Sequence, residues 1–156
     1  MTEAALKEDP EVHVPAPVRR FEMADLSQHG PWLLKRLLAK FPDVNERYVA
    51  GYLSNLVYNN EHLFLYQPHA VALAQIVTSP GIKPIKIIQE RFVWVEDPKD
   101  KEQLENAADF YSEMRVWGKR QGAERIFACE DTDVPKPLII ARLGRLFDVT
   151  VSHARI

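Results

Sequence analysis

The stretch Arg91–Phe110, RFVWVEDPKDKEQLENAADF, decides the fold because it predicts a strand that leads directly into a helix. At such a turn the first backbone N–H groups of the helix lack partners, and many proteins bind phosphate groups there. Turns with that role usually contain glycine, which lets a ligand approach the backbone closely. This turn contains no glycine and carries several carboxylates. The sequence therefore indicates either a phosphate-binding turn of unusual composition or one that has lost this role.

The composition is that of a single soluble globular domain. The chain has 156 residues, of which 46% are hydrophobic and 27% are charged, and its formal net charge is −2. Lysines and arginines are scattered along the chain, so we expect no specific nucleic-acid partner. No apolar run approaches the roughly 20 residues that span a bilayer, and no signal peptide is evident. We therefore expect a soluble intracellular protein that is neither secreted by a signal peptide nor transmembrane.

Cysteine and histidine give no sign of a metal site. The single cysteine, Cys129, cannot close a disulfide within the chain, and it is interpreted as a small core residue of a strand. The histidines show no paired helical spacing, so we predict no bound metal and place them on the surface. They are His13, His29, His62, His69 and His153.

The remaining patterns predict the element order β-α-α-β-β-β-α-β-α-β, without an internal repeat or a linker. Residues 1–17 are polar and contain three prolines, which predicts a flexible arm. Pro31 is expected at the start of the first helix, and Asp43 is expected to cap the second. The predicted strands are a first strand at 18–23, a hairpin at 62–77, a central strand at 85–95, a strand at 124–129 and a last strand at 149–152. Two further helices are predicted: a long one at 98–121, ended by Gly122, and one begun by residues 131–135.

This order, with a long helix between the fourth and fifth strands, resembles the GCN5-related N-acetyltransferase (GNAT) fold. The local matches are "W-V-x-D-P", "W-x-x-x-x-G-A-x-R-I" and the closing "ARLGRLFDVTV". The resemblance covers residues 18–156. It implies a single α/β (α+β) domain with a central mixed, twisted sheet and helices on both faces, preceded by the flexible arm 1–17.

The resemblance also implies a coenzyme loop, and this chain departs from it. In the family, the turn after the fourth strand carries an Arg/Gln-x-x-Gly-x-Gly/Ala motif that holds the pyrophosphate of acetyl-coenzyme A. Here Pro98 removes one N–H donor, and Asp97 or Asp100 is expected to cap the helix with its own oxygen. The turn is therefore similar to an eroded acetyl-CoA loop, although Lys99 or Lys101 could hold a phosphate as a point charge.

A second departure concerns the acid that protonates the leaving thiolate. Many family members carry a tyrosine four residues before a Gly-Phe pair on the last helix. Aligning Leu146-Phe147 with that pair places Arg142 at the tyrosine position. Arginine stays protonated at ordinary pH, so it cannot act as this general acid.

The sequence offers one weak catalytic candidate and one conditional coenzyme site. Glu90 lies on the central strand, where a transferase could keep a general base, but we favour a structural pairing with Arg91 or with a cation of a neighbouring strand. If an acyl-CoA binds, we expect it to use the backbone of Val93 and Val95 together with the two lysines of the turn. These conditional residues are Val93, Val95, Lys99 and Lys101.

Three functions follow from these observations. The first is a GNAT-fold protein that has lost acetyl transfer, uses no cofactor, and acts as a structural or binding module through self-association or a larger assembly. The resemblance extends to GNAT-like proteins of tailed bacteriophages, so this hypothesis includes a virion-associated location beside a cytoplasmic one. The second is an active N-acetyltransferase with a non-standard pyrophosphate loop. The third is a small inhibitory or regulatory protein that binds a host partner through its arm or through an acidic helix face, formed by Glu102, Glu105, Asp109 and Glu113.

Overall fold

The computed structural model describes residues 17–128 and 131–143 and the backbone of residues 154–155. A short 3-10 turn at Met23–Asp25 follows the first strand. In chain order the elements are β1 (Arg19–Arg20), α1 (Leu26–Lys40), α2 (Glu46–Tyr58), β2 (His62–Gln67), β3 (Ala70–Ser79), β4 (Ile85–Val95), α3 (Lys101–Ala107), α4 (Asp109–Arg120), β5 (Ala123–Phe127), α5 (Lys136–Leu143) and β6 (Ala154–Arg155). The predicted order is confirmed, except that the long helix is divided into α3 and α4.

The strands form one mixed sheet in the order β1-β2-β3-β4-β5-β6. Neighbouring strands are antiparallel except for β4 and β5, which are parallel and joined by the crossover through α3 and α4. The predicted hairpin is confirmed, with Pro68 and His69 as the turn between β2 and β3. The mixed sheet of the predicted fold class is therefore present.

Helices cover both faces of the sheet, as the fold class predicts. On one face α1 and α2 bury Leu33, Leu37 and Leu53 against strand residues such as Phe64 and Trp94. On the other face α3, α4 and α5 pack against the alternate residues of β3 and β4, which are small or β-branched; these include Ala70, Ala72, Ala74, Ile88, Val93 and Val95. Strand β4 is thus buried on both sides, which explains its nearly continuous apolar sequence.

A β-bulge at Arg91 reverses the direction of side chains along β4. Phe92 pairs with Leu73 and Glu90 pairs with Ala74, so Arg91 has no partner residue on β3. Arg91 is exposed, whereas the residues on either side of it are buried. The bulge places Glu90 toward the face of α4 and re-aims the last residues of β4, and this irregularity is the physical cause of the imperfect alternation.

The predicted boundaries of the first three helices are wrong. α1 begins at Leu26, so Pro31 lies inside the helix instead of at its start. α2 is capped by Asn45, whose side chain accepts from Tyr48 N–H at 2.8 Å, and not by Asp43. The helix predicted at 98–121 starts only at Lys101 and is interrupted at Ala108, where the chain makes a tight turn.

Other boundary predictions are confirmed or lie outside the described residues. Gly122 has φ +80°, the left-handed conformation that glycine adopts easily, and it follows the end of α4 as predicted. The first strand is shorter than predicted, at Arg19–Arg20. The arm up to residue 16, Cys129 and the strand predicted at 149–152 lie outside the described residues. Within the described parts of the chain, no helix is long and apolar enough to cross a membrane.

Candidate functional site

The turn that joins β4 to α3 is held by its own side chains. Asp100 is the N-cap residue of α3, and its Oδ1 accepts hydrogen bonds from the N–H groups of Glu102 (2.9 Å) and Gln103 (3.4 Å). Gln103 Oε1 accepts from Asp97 N–H at 2.8 Å, and Asp97 Oδ1 accepts from Lys99 N–H at 3.0 Å. Capping by an aspartate is therefore confirmed for Asp100, and these N–H groups of the turn already have acceptors within the chain.

The proline and the lysines of this turn lie outside the helix or at its first residue. α3 has only seven residues and begins at Lys101, so Pro98 precedes the helix instead of removing a donor from its first turn. Lys99 and Lys101 are exposed, and neither side chain has a hydrogen-bond or ion-pair partner among the described residues. The two ammonium groups are thus the only cations of the turn that a phosphate could contact without displacing a described interaction.

The backbone of Val93 and Val95, the second part of the conditional coenzyme site, is paired with another segment of the chain. Val93 N–H donates to Asp131 O at 3.0 Å, and Val93 O accepts from Asp133 N–H at 2.9 Å. Val95 N–H donates to the Asp133 carboxylate at 2.9 Å. Residues 131–133 lie parallel to β4 here, with Thr132 bridged to Val93. A ligand can reach these N–H groups only if the 131–133 segment moves away from β4.

Two ion pairs hold the 131–133 segment in place. The Asp133 carboxylate receives both branches of the Arg36 guanidinium, with one contact of 2.6 Å, and Arg36 also donates to Val95 O at 3.3 Å. Asp131 pairs with Lys40 and accepts from Trp94 Nε1 at 3.1 Å. The segment is therefore tied to α1 and to β4 at once.

This arrangement differs from the sequence prediction, in which the segment begins a helix. α5 begins only at Lys136, and residues 131–133 are extended instead. The signal was present in the spacing: Arg36 and Lys40 are four residues apart on a helix and lie on one face. Asp131 and Asp133 are two residues apart, so in an extended segment their side chains point the same way. The two spacings match in a double ion pair once residues 131–133 are extended, and the sequence alone does not show that they are.

Glu90, the catalytic candidate, is fully buried. It is 0% exposed, and Tyr111 Oη donates a hydrogen bond of 2.6 Å to its Oε1. Tyr111 is also 0% exposed and lies on α4. Arg91, one of the partners expected for Glu90, is exposed beyond the bulge. Because Glu90 has no exposed surface, a dissolved amine cannot contact it in this conformation of the protein.

Arg142, which the sequence alignment places at the expected tyrosine position, ties α5 to α4. Its Nε donates to Asp109 Oδ1 at 2.8 Å, and Nη2 lies 3.5 Å from Glu105 O. Asp109 is 7% exposed, so its predicted place on a solvated acidic face is wrong: Arg142 neutralises it at the α4–α5 contact. Glu102, Glu105 and Glu113 are exposed, as expected. Leu146 and Phe147, on which the alignment of Arg142 rests, lie outside the described residues.

One histidine is in the core, against the expectation that all lie on the surface. His29 is 0% exposed, and its Nδ1 accepts from Trp32 Nε1 at 2.9 Å while its Nε2 lies 2.9 Å from Gln67 O. These contacts fit the neutral ring with the proton on Nε2. Burial lowers the pKa of His29 below its ordinary value. Among the described residues, no group of three or more possible ligand side chains could hold a metal ion.

Comparisons with known proteins give matches in structure alone. No family model matches the sequence, and no curated protein matches it. An acetyltransferase from Vibrio fischeri is similar with a TM-score of 0.53 and 13% identity, over 76% of this chain and 95% of that chain. The aminoglycoside 6'-N-acetyltransferase AAC(6')-IG from Acinetobacter haemolyticus is similar with a TM-score of 0.52 and 15% identity, over 81% and 85% of the two chains. The tetramutant of the BH1408 protein from Bacillus halodurans has a TM-score of 0.51 and 12% identity, over 83% and 88%.

These likenesses span most of each chain, and at such low identity they establish the fold without the activity. The element order, the mixed sheet and the crossover between β4 and β5 agree with them. The chain therefore has the fold of the GCN5-related N-acetyltransferases.

Proposed function

We propose that this protein is a GNAT-fold binding module that does not use acetyl-coenzyme A. The observation that carries the proposal is the pairing of residues 131–133 with β4: the N–H groups of Val93 and Val95 have Asp131 and Asp133 as acceptors. The capped turn supports it, since Asp100 accepts from two N–H groups at the start of α3. Both places where the chain would hold the coenzyme are thus filled by its own atoms.

A coenzyme that binds to the backbone of β4 has to replace the 131–133 segment. A ligand that displaces the 131–133 segment must break the hydrogen bonds of Val93 and Val95 and separate Asp133 from Arg36. Each hydrogen bond to a charged group contributes roughly 1.5–3 kcal/mol, so the displacement costs several kcal/mol before the ligand gains anything. The carboxylates of Asp97, Asp100 and Glu102 also repel an anionic ligand at the turn.

An active N-acetyltransferase is the second candidate, and the structural likeness favours it. Two of the similar proteins are named as acetyltransferases. In this candidate Lys99 and Lys101 hold the phosphates of acetyl-CoA, residues 131–133 leave β4, and Glu90 must become accessible to act as a general base. The virion-associated role and the role as an inhibitor of a host partner stay predictions from the sequence.

The experiment that tests the proposal is a titration of the full chain with acetyl-CoA, followed by thermal unfolding and by calorimetry. A ligand at 100 times its dissociation constant adds about 2.7 kcal/mol of stability, which for a chain of this size raises the Tm by roughly 5–10 °C. We expect no saturable shift at 1 mM, about the upper end of typical KM values. A saturable shift that is lost in the Lys99→Ala/Lys101→Ala variant and retained in Lys83→Ala, an exposed lysine elsewhere, would overturn the proposal and favour the second candidate.

A further inference from the structure

The exposed side of α2 carries an unusual surface. Three of the five tyrosines of the chain lie there, with exposed fractions of 67% for Tyr48, 38% for Tyr52 and 73% for Tyr58. The stretch from Tyr48 to Asn60 contains no charged residue, although 27% of the chain is charged. Large aromatic side chains without charges are typical of the centre of protein interfaces. We call this surface the tyrosine face; it consists of Tyr48, Gly51, Tyr52, Ser54, Asn55 and Tyr58.

The tyrosine face is continuous. An open hollow of about 280 Å³ lies between Phe41, Tyr48 and Tyr52, and a second of about 340 Å³ is lined by Tyr48, Gly51, Tyr52 and Asn55. A third, of about 630 Å³, includes Gly51, Asn55 and Tyr58. Because each hollow shares residues with the next, they form a single shallow groove along α2, and it extends at one end to Phe41, which is 50% exposed.

The spacing along the helix is that of a seam between two helices. Tyr48, Gly51, Asn55 and Tyr58 follow one another at intervals of three, four and three residues, so they lie in one row. A Cβ atom added at Gly51 would meet nothing within 4 Å, which leaves room for a second helix to approach the backbone closely. In an antiparallel pair of these helices, Tyr48 of one copy lies opposite Tyr58 of the other, and Gly51 lies opposite Asn55.

The charges at the two ends of the face are complementary in this same arrangement. Arg47 precedes the uncharged stretch and Glu61 follows it; both are exposed and neither has an ion pair among the described residues. Within one chain they are roughly 20 Å apart along the helix direction, too far to pair. When two copies meet antiparallel, Arg47 of each lies near Glu61 of the other, so the face is complementary to itself in charge.

We propose that a second copy of this chain covers the tyrosine face, with the two α2 helices antiparallel about a two-fold axis near Gly51 and Asn55. This inference rests on the proposed function, since it names the partner of the binding module. The exposed fractions of Phe41 and the three tyrosines amount to about 2.3 whole aromatic side chains, or roughly 450 Å² per copy at about 200 Å² each. Two copies bury about twice that area before the polar residues are counted, which approaches the roughly 1,200 Å² of the smaller specific interfaces.

The test is sedimentation equilibrium of the full chain without coenzyme, from about 1 to 200 μM, a range that detects dissociation constants in the micromolar region. We expect a reversible monomer–dimer equilibrium. Gly51→Arg places two like charges near the axis and is expected to weaken the dimer at least tenfold, while the open space at Gly51 lets the monomer stay folded. Glu113→Arg, on the exposed side of α4, is the matched control and should leave the dimer unchanged.

A charge exchange tests the antiparallel arrangement itself. Arg47→Glu and Glu61→Arg are each expected to weaken the dimer by about three- to tenfold, because a two-fold axis repeats every contact. The double variant restores the pairing between copies and should recover most of the loss. A monomer at all concentrations, or a dimer insensitive to Gly51→Arg and to the exchange, would overturn this inference.

The outcome is separable from that of the proposed function. A monomer that fails to bind acetyl-CoA overturns the dimer and leaves the coenzyme-free module standing. A dimer that binds acetyl-CoA supports the dimer and overturns the coenzyme-free module.

Discussion

Replacing Asp133 with alanine tests whether the 131–133 segment is held on β4 as described. The Asp133 side chain is 12% exposed and accepts from both branches of Arg36 and from Val95 N–H. The change leaves the fully buried N–H group of Val95 without its acceptor, which costs roughly 1–3 kcal/mol. Arg36 is 29% exposed and regains water, so the loss of its ion pair adds only about 1 kcal/mol. We expect the free energy of unfolding to fall by about 2–4 kcal/mol.

Two measurements check this expectation. Urea unfolding gives the change in stability, and amide hydrogen exchange reports the protection of Val93 and Val95, which should fall markedly more than that of the central residues of β3. Glu96→Ala is the matched control: it removes only an exposed contact with His69, whose side chain is 57% exposed, so we expect a smaller loss of at most about 1 kcal/mol. A loss in Asp133→Ala no greater than in the control, or unchanged exchange at Val95, would refute the reasoning.

The two remaining predictions concern helical glycines and pH. A Cβ atom at Gly118 would lie 2.0 Å from Cδ1 of the buried Ile88, so Gly118→Ala should lower the free energy of unfolding by about 1–2 kcal/mol, after allowing for its better helix propensity. At Gly51 a Cβ atom meets nothing within 4 Å, so Gly51→Ala should raise the free energy of unfolding by up to about 1 kcal/mol. Urea unfolding measures both. Because the pKa of His29 is lowered in the folded state, the unfolded chain binds more protons below about pH 6.5. Stability contributed by neutral His29 is therefore lost as pH falls through 6.5 toward the lower folded pKa, and the Tm of the wild type should drop more between pH 8 and 5 than that of His29→Gln.

Each of these two predictions can be contradicted by a specific result. Equal effects of alanine at Gly51 and Gly118 would mean that α4 does not contact β4 as closely as described. Parallel Tm profiles of the wild type and His29→Gln would mean that His29 is hydrated in the folded protein and does not titrate differently on unfolding.

The parts of the fold that the sequence predicted are those set by local pattern. The apolar run of Ile85–Val95 indicated a strand buried on both faces, and Gly122 marked the end of a helix because it adopts the required left-handed conformation. Pro31 is an exception: proline favours the first turn of a helix, but here the preceding turn is helical too and holds the buried His29, which contacts Trp32 and Gln67.

Within the candidate site, only the contacts between residues close in the sequence were predicted. Capping by Asp100 involves residues two and three positions away, which a sequence reveals directly. The contact between Asp133 and Arg36 joins residues 97 positions apart, and it exists only because β4 lies between them. Without the fold, the pair Asp131 and Asp133 was as consistent with the start of a helix as with an extended segment, so the filling of the β4 edge could not be foreseen.

The strand order also shapes how the protein emerges from the ribosome. β2, β3 and β4 are neighbours both in the chain and in the sheet, so this meander can form with α1 and α2 on one side once Val95 has been made. Its opposite side, with Ala72 and Val93, is covered completely only after the chain has been extended through Leu143, the end of α5. At about 5–20 residues per second, part of that apolar surface stays exposed for roughly 2–10 s while the second half is synthesised.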